Sequence, residues 1–451
     1  MAQSAVTPDV INPEPRIDAG QMAWGVLLIA FAVFCGLCVV SGVGLNYFLF
    51  QSNVPMQTLV RVGRGTVTWT DATLIAQATQ SQIELFNSAV ISTDPVSQAS
   101  MLVYDQYHNQ LIALLTLKSD SSAELEQVAR PRFDFSAQRY TILLEGMRGE
   151  VDVNVLPNLA REVWVTVRTN SGAFARIIRP GQYTVRVNDA QLQVVTYAGE
   201  ALVSMGTNPN WAVPVGQRGT MQLADGSYAM QPARANLFGS GGFDQTNLVE
   251  IAAAQMPRPQ AWGCINQQNQ LPSGFFALTQ IDGLHTLRLG RGGGANSHGE
   301  TVCYQFFPGT SQDGRDVSTY GYLGVRSTFK IVGHSLSTCG EQGSECPLML
   351  RMEYITVNGQ PATWIHGFYT RLVAGADYPQ RCDSCTTDHE IINENTWYTY
   401  DSGNLLALIP PEQRPRSLLN FRFYASGHEY DVYVSDMALQ VGQVNPAPNA
   451  G

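Results

Sequence analysis

Six cysteines, Cys264, Cys303, Cys339, Cys346, Cys382 and Cys385, fall in the C-terminal half of a chain of 451 residues. An even set confined to one region reads as a disulfide framework in an oxidising compartment. The pairing expected is Cys339–Cys346 and Cys382–Cys385 as local staples, with Cys264–Cys303 joining the first strands of the region. Two rival chemistries use the same residues. Cys382-Asp-Ser-Cys385 has the spacing of a redox motif, but no thioredoxin-like βαβ pattern surrounds it. Cys382, Cys385 and His389, with Cys339 and Cys346, offer ligand types that suit tetrahedral zinc, at a spacing that matches no familiar finger. Structural disulfides are the expectation.

Other candidate groups are oxygens and rings. No cofactor is expected, although Asp282 and Asp436, with Glu429, could supply oxygens to a structural Ca2+; an ordinary strand-end polar role is the alternative for Asp436. Trp364, Trp397, Tyr398 and Tyr400, with Trp262, could stack on sugar rings, although strand aromatics also build cores. Trp397-Tyr398-Thr399-Tyr400 alternates, so one of its faces is expected to look outward. The run Leu289-Gly-Arg-Gly-Gly-Gly-Ala295 lacks the Lys-Ser/Thr ending of a phosphate loop. The seven histidines are scattered, and neither a Gly-x-Ser-x-Gly elbow nor His-Glu-x-x-His occurs. The chain is expected not to be an enzyme.

The elements that must hold these groups begin with an anchor. Residues 22–50 contain no charge. As a helix they would extend about 43 Å, more than the roughly 30 Å of a hydrocarbon core. Trp24 and Tyr47 sit near the ends, where amphipathic rings favour the interface. A cleaved signal peptide would have a shorter apolar region behind basic residues, and Arg16 is the only basic residue ahead of this one. Residues 1–21, with no apolar periodicity, read as a disordered cytoplasmic tail. The cysteines then place the remainder outside: a single-pass cell-membrane protein with extracytoplasmic C-terminal domains. Charged residues make up 14% of the chain and the net charge is -10; without a basic stripe, nucleic acid is excluded as a partner.

From 57 to 228 short β-branched runs alternate with turns, as in Tyr183-Thr-Val-Arg-Val187, and predict an all-β domain. A helix is expected at Ser121–Ala129. Val62-Gly-Arg-Gly-Thr-Val-Thr-Trp69, Ala99-Ser-Met-Leu-Val-Tyr-Asp105, Leu144-Glu-Gly-Met-Arg-Gly-Glu-Val151 and Val213-Pro-Val-Gly-Gln-Arg-Gly219 occur in the order of FecR-type domains, which this region resembles. The resemblance implies a solenoid-like β domain. It does not imply a sigma-factor regulator, because the short N-terminal tail cannot be the sigma-binding domain of that family.

Residues 229–242, with Pro232 and Gly239-Ser-Gly-Gly242, read as a flexible linker. Residues 243–442 hold eight or nine aromatic strands, a count that suits a two-sheet jelly roll. Tyr430–Gly442 is similar to the closing strand of galactose-binding-like and carbohydrate-binding jelly rolls. Residues 443–451 read as a disordered tail. The expected function is a membrane-anchored binding or structural protein, in which a FecR-like stalk presents a jelly-roll head to an envelope glycan or protein. A transmembrane signal transducer and a structural subunit of a larger membrane or surface assembly are the alternatives.

Overall fold

The period-two runs become strands. The structure, a computed structural model, describes residues 19–71, 75–206, 209–238, 241–243, 249–250, 262–267, 271–307, 314–335, 338–372, 380–383 and 385–443. The chain divides into two compact units.

The first unit runs to Val54 and includes Pro131–Gln138. Its helix, Ala19–Asn46, continues as a π-helical turn over Tyr47–Gln51. Met22–Gln51 is the one helical stretch among the described residues that is long and apolar enough to cross a membrane. Leu27, Phe31 and Val40 on it are mostly exposed, which suits a lipid environment. Of the expected N-terminal tail, 1–18 lie outside the described residues and 19–21 are already helical. Where the helix ends, Phe48 meets Phe133 edge-on at 5.4 Å and Phe50 meets Phe135 at 5.5 Å between ring centroids. Ser136 Oγ donates to Phe50 O at 2.7 Å. These rings pack Pro131–Gln138 against the end of the helix.

The second unit holds two cores. One is built from residues such as Val60, Ile91, Leu115, Ile142, Val153 and Val185. The other is aromatic, with Trp262, Phe329, Trp364, Phe421 and Phe423. We call the surrounding structures the N-lobe and the C-lobe.

The N-lobe has two sheets that share one strand, Tyr140–Val155, of 16 residues. Its first half pairs in parallel with Val163–Val167 and antiparallel with strand Ser122–Pro131. Its second half pairs with Ala113–Leu117 and with Gly181–Val187, both antiparallel. The switch falls at Gly149, whose φ of +83° disfavours a side chain. A Cβ there would also lie 2.6 Å from Asp120 O. The helix expected at Ser121–Ala129 is therefore corrected: Ser122–Pro131 is a strand. Its Ala, Glu, Leu and Gln favour helix. Ala123 and Leu125 nonetheless alternate into the core, and pairing on both sides overrides the local preference.

The C-lobe is a β-sandwich. One sheet runs, in spatial order, Phe275–Ile281, Leu284–Arg291, Tyr430–Gly442, Tyr322–His334, Tyr398–Asp401. The facing sheet contains Gly263–Gln267, Gly299–Phe306, Pro415–Gly427, Leu348–Thr356 and Pro361–Tyr369. Among the described residues the chain beyond its apolar helix is thus mostly β, with single helical turns at Leu405–Leu408 and Pro411–Gln413. The stretch expected as a flexible linker is ordered where it is described. Tyr228–Pro232 pairs with Gln217–Met221, Ala235–Asn236 pairs with Gln440–Val441, and Phe238 is buried in the C-lobe core. Gly239 and Ser240 lie outside the described residues, as does 444–451 of the expected C-terminal tail.

Candidate binding cleft between the two β lobes

A strand with one face to water alternates buried and exposed residues. Gln98–Asp105 does not: Gln98, Ser100 and Leu102 are buried, as are Ala99, Met101 and Val103. Gln110–Leu117 is covered on both faces too. The N-lobe's outer face packs on the C-lobe, where Leu102, Leu111, Leu114 and Leu156 join Leu284, Trp397 and Tyr433 in one apolar cluster. Polar groups in this contact are paired. Gln98 Nε2 donates to Thr399 O at 2.9 Å, and Thr399 N–H donates to Gln98 Oε1 at 2.8 Å. Lys118 Nζ also donates to Thr399 O, at 2.8 Å. Arg64 meets Glu390 at 2.9 Å.

Asp282 and Gly283 form the tip of a C-lobe hairpin, both with positive φ, as a two-residue Asp-Gly turn requires. Asp282 accepts from Lys330 Nζ and from Trp397 Nε1, each at 3.0 Å, and lies 3.5 Å from Arg61 of the N-lobe. Replacing Trp397 with phenylalanine keeps most of the apolar contact and removes the indole donor. The expected loss is about 1–3 kcal/mol, as for a hydrogen bond to a charged group, read by thermal unfolding of the full chain in detergent.

Behind this contact lies a buried ion group. Asp152 is 3.2 Å from Lys118 and 3.2 Å from Arg326, and accepts from Thr184 Oγ1 at 2.5 Å. Burial opposes its ionisation, but Arg326 and Lys118 hold its carboxyl below the usual carboxylate range. Asp152 in turn holds Arg326 charged against burial.

Beside this group the lobes part around a cavity of about 300 Å3, bordered by Tyr197 and Gln182 of the N-lobe, Arg326, Asp436 and Gln440 of the C-lobe, and Arg234 of the connecting stretch. A contiguous recess adds Arg186, Gln193, Arg218 and Asp401. The size is that of a small-molecule site, and the lining mixes amides, guanidinium groups, a carboxyl and hydroxyls with glycines and alanines in about equal measure. Asp436, next to the cavity, has its carboxyl pushed up by burial, and Asp152 adds to this while Arg326 opposes it. Arg186 is committed to Glu150. The guanidinium of Arg234 lies 3.4 Å over the ring of Tyr322.

The residues expected to do chemistry are placed differently. Trp262, Trp364, Trp397, Tyr398 and Tyr400 are all buried, so none offers a ring face for sugar stacking. Trp397 and Thr399 point their strand's outer face into the N-lobe, which is why the alternation did not signal exposure. Asp282 and Asp436 are not brought together as a cation cage: the first is taken by Lys330, Trp397 and Arg61, and the second faces Arg326. The cysteines pair as Cys264–Cys303, Cys339–Cys346 and Cys382–Cys385. His389 sits between the last two pairs, and its ring lies within 4.8 Å of the sulfurs of each. Its Nδ1 accepts from Gly367 N–H at 2.8 Å and its Nε2 donates to Gly343 O at 2.6 Å. With the sulfurs joined and both ring nitrogens bonded, this cluster holds together without an ion. The cleft residues Arg186, Arg218, Arg234 and Arg326 carried no common sequence signal: Arg234 lies between two strands, and Arg326 sits on a strand buried almost throughout.

No protein-family profile matches the chain, and no curated protein sequence matches it. Solved structures give partial similarity. A candidate anti-sigma factor from Parabacteroides distasonis ATCC 8503 is 16% identical over 32% of this chain and 59% of its own, with a TM-score of 0.24. The family 11 carbohydrate-binding module of Clostridium thermocellum, in complex with a β-1,3-1,4-mixed-linked tetrasaccharide, is 12% identical over 41% of this chain and 91% of its own, with a TM-score of 0.23. SGBP-B, from a complex xyloglucan utilization locus in Bacteroides uniformis, is 11% identical over 83% of this chain and 85% of its own, with a TM-score of 0.26. The chain spans 59% of the first of these structures, and at these scores the chain is similar to each in part and is assigned to no family.

Proposed function

We propose that this chain is a membrane-anchored, extracytoplasmic glycan-binding protein whose ligand site is the cleft between the lobes. The observation that carries the reading is the lining of the 300 Å3 cavity. Gln182 and Gln440 present planar, multiply hydrogen-bonding amides, and Tyr197 adds a half-buried ring. Adjacent hydroxyls of a sugar ring match such paired donors and acceptors. The apolar helix supplies the tether, and the three disulfides suit an oxidising compartment. The two lobes act together, because the cleft has walls from both.

The test is a glycan array probed with the full chain in detergent. A defined set of glycans should be retained, and Tyr197→Ala with Gln440→Ala should abolish retention while the thermal transition persists. Retention of no glycan, or retention undiminished in the double variant, overturns the reading.

A further inference from the structure

The charges around the cleft are unevenly matched, although the whole chain is acidic at -10. Arg186 is spent on Glu150, and Arg326 with Lys118 is spent on Asp152. Arg218 and Arg234 border the same recess. Among the described residues no carboxylate pairs with either. Arg218 donates from one Nη to Gln231, and its buried Nε has no partner. Arg234 is held flat over Tyr322. Stacking fixes the plane of a guanidinium and leaves its N–H edge free. Arg234 therefore offers an ordered fork with its edge unclaimed at the mouth of the cavity, and Arg218 beside it offers the Nη that Gln231 does not take.

We propose that the cleft seats an anionic group of its saccharide ligand, a carboxylate or a sulfate ester, against Arg218 and Arg234. This rests on the glycan reading of the cleft. A planar fork bonds two oxygens of such a group at once, which adds direction to charge. The local electrostatics agree. Burial and the nearby Arg234 and Arg186 depress the Arg218 pKa, a like-charge crowding that a bound anion relieves.

The experiment is calorimetric titration of the full chain in detergent with three oligosaccharide sets of equal length: a neutral β-glucan, a polygalacturonate and a sulfated galactan. One or both acidic sets should bind about tenfold or more tighter than the neutral set, and the two acidic arms identify whether carboxylate or sulfate is the partner. Their affinity should fall as salt rises, as screening requires. Arg234→Ala and Arg218→Gln should each lower acidic binding by about tenfold, and by clearly more than they lower neutral binding. Arg234 is exposed, so its variant tests the idea without a burden on folding. Neutral glycans bound as tightly as acidic ones overturn the anion inference and leave the glycan reading standing. Acidic binding that ignores both arginine variants also overturns it. No binding to any set overturns both.

Discussion

Replacing Asp152 with alanine is expected to lower the unfolding free energy of the full chain by about 3–5 kcal/mol, the usual consequence of stranding a buried charge. Two cations are stranded here, one from each lobe. Lys118 and Arg326 are only 12% and 11% exposed at their side chains, and each is 3.2 Å from the Asp152 carboxylate. Neither can turn fully to water when the acid is gone. Thr184 Oγ1 also loses its acceptor. Thermal unfolding in detergent should show the loss. Adding Lys118→Met and Arg326→Met to the alanine variant should restore much of it, because an apolar replacement of a whole buried ion group is close to neutral. If the single variant unfolds like the parent, the group is solvated and not a buried junction. If the triple variant is worse than the single, the cations act through other partners.

Acid should unfold the C-lobe through its histidines, with an effect of comparable size. Burial pushes His366 down to about 3, with His389 and Arg64 adding to it, and burial with Arg371 pushes His334 down to about 4. His366 lies among the rings of Trp364, Phe368 and Tyr400. Glu390 is 3.7 Å from it, but that carboxylate is already engaged by Arg64 and by Tyr398 Oη. The sign follows from linkage. In the unfolded chain these imidazoles take a proton near pH 6.5, while in the folded chain they stay neutral. Stability is therefore full above about pH 6.5 and falls progressively toward pH 3–4, where the folded groups titrate. Each pKa unit corresponds to about 1.4 kcal/mol, so several kcal/mol are at stake. Tryptophan fluorescence followed from pH 7 to pH 4 should report an acid transition, and His366→Phe should flatten the slope across that window. An unchanged slope would place the acid response elsewhere.

Much of the architecture was legible in the residues. The uncharged stretch 22–50 signalled the helix, and alternation such as Tyr183-Thr-Val-Arg-Val187 signalled strands because a sheet with one wet face imposes that period. Ser122–Pro131 misled because its composition favours helix, and only its neighbours on both sides decide for strand. The site was less legible for a related reason. Trp397, Tyr398 and Tyr400 read as a strand with one outward face, and a strand does not record that a second lobe covers that face. Gln110–Leu117 did carry a sign of this: Leu111-Ile-Ala-Leu-Leu-Thr-Leu117 is apolar almost without alternation, as in strands buried on both sides. The cleft arginines lie 32, 16 and 92 positions apart along the chain, and no local pattern joins Arg186, Arg218, Arg234 and Arg326. The three disulfide pairs were within reach because two of them close short loops.

Tyr398–Asp401 is the last strand of its sheet, and its outward N–H and C=O at Thr399 are taken by the Gln98 side chain and Lys118. An unpaired sheet margin is a template on which another chain can add a strand. The N-lobe thus works as a built-in guard against self-association of the C-lobe. A fragment that begins at residue 243 would carry that margin bare, together with Trp397 and Tyr433 stripped of their cover, and is expected to form aggregates where the intact pair of lobes stays dispersed. Binding work on this protein belongs with both lobes present.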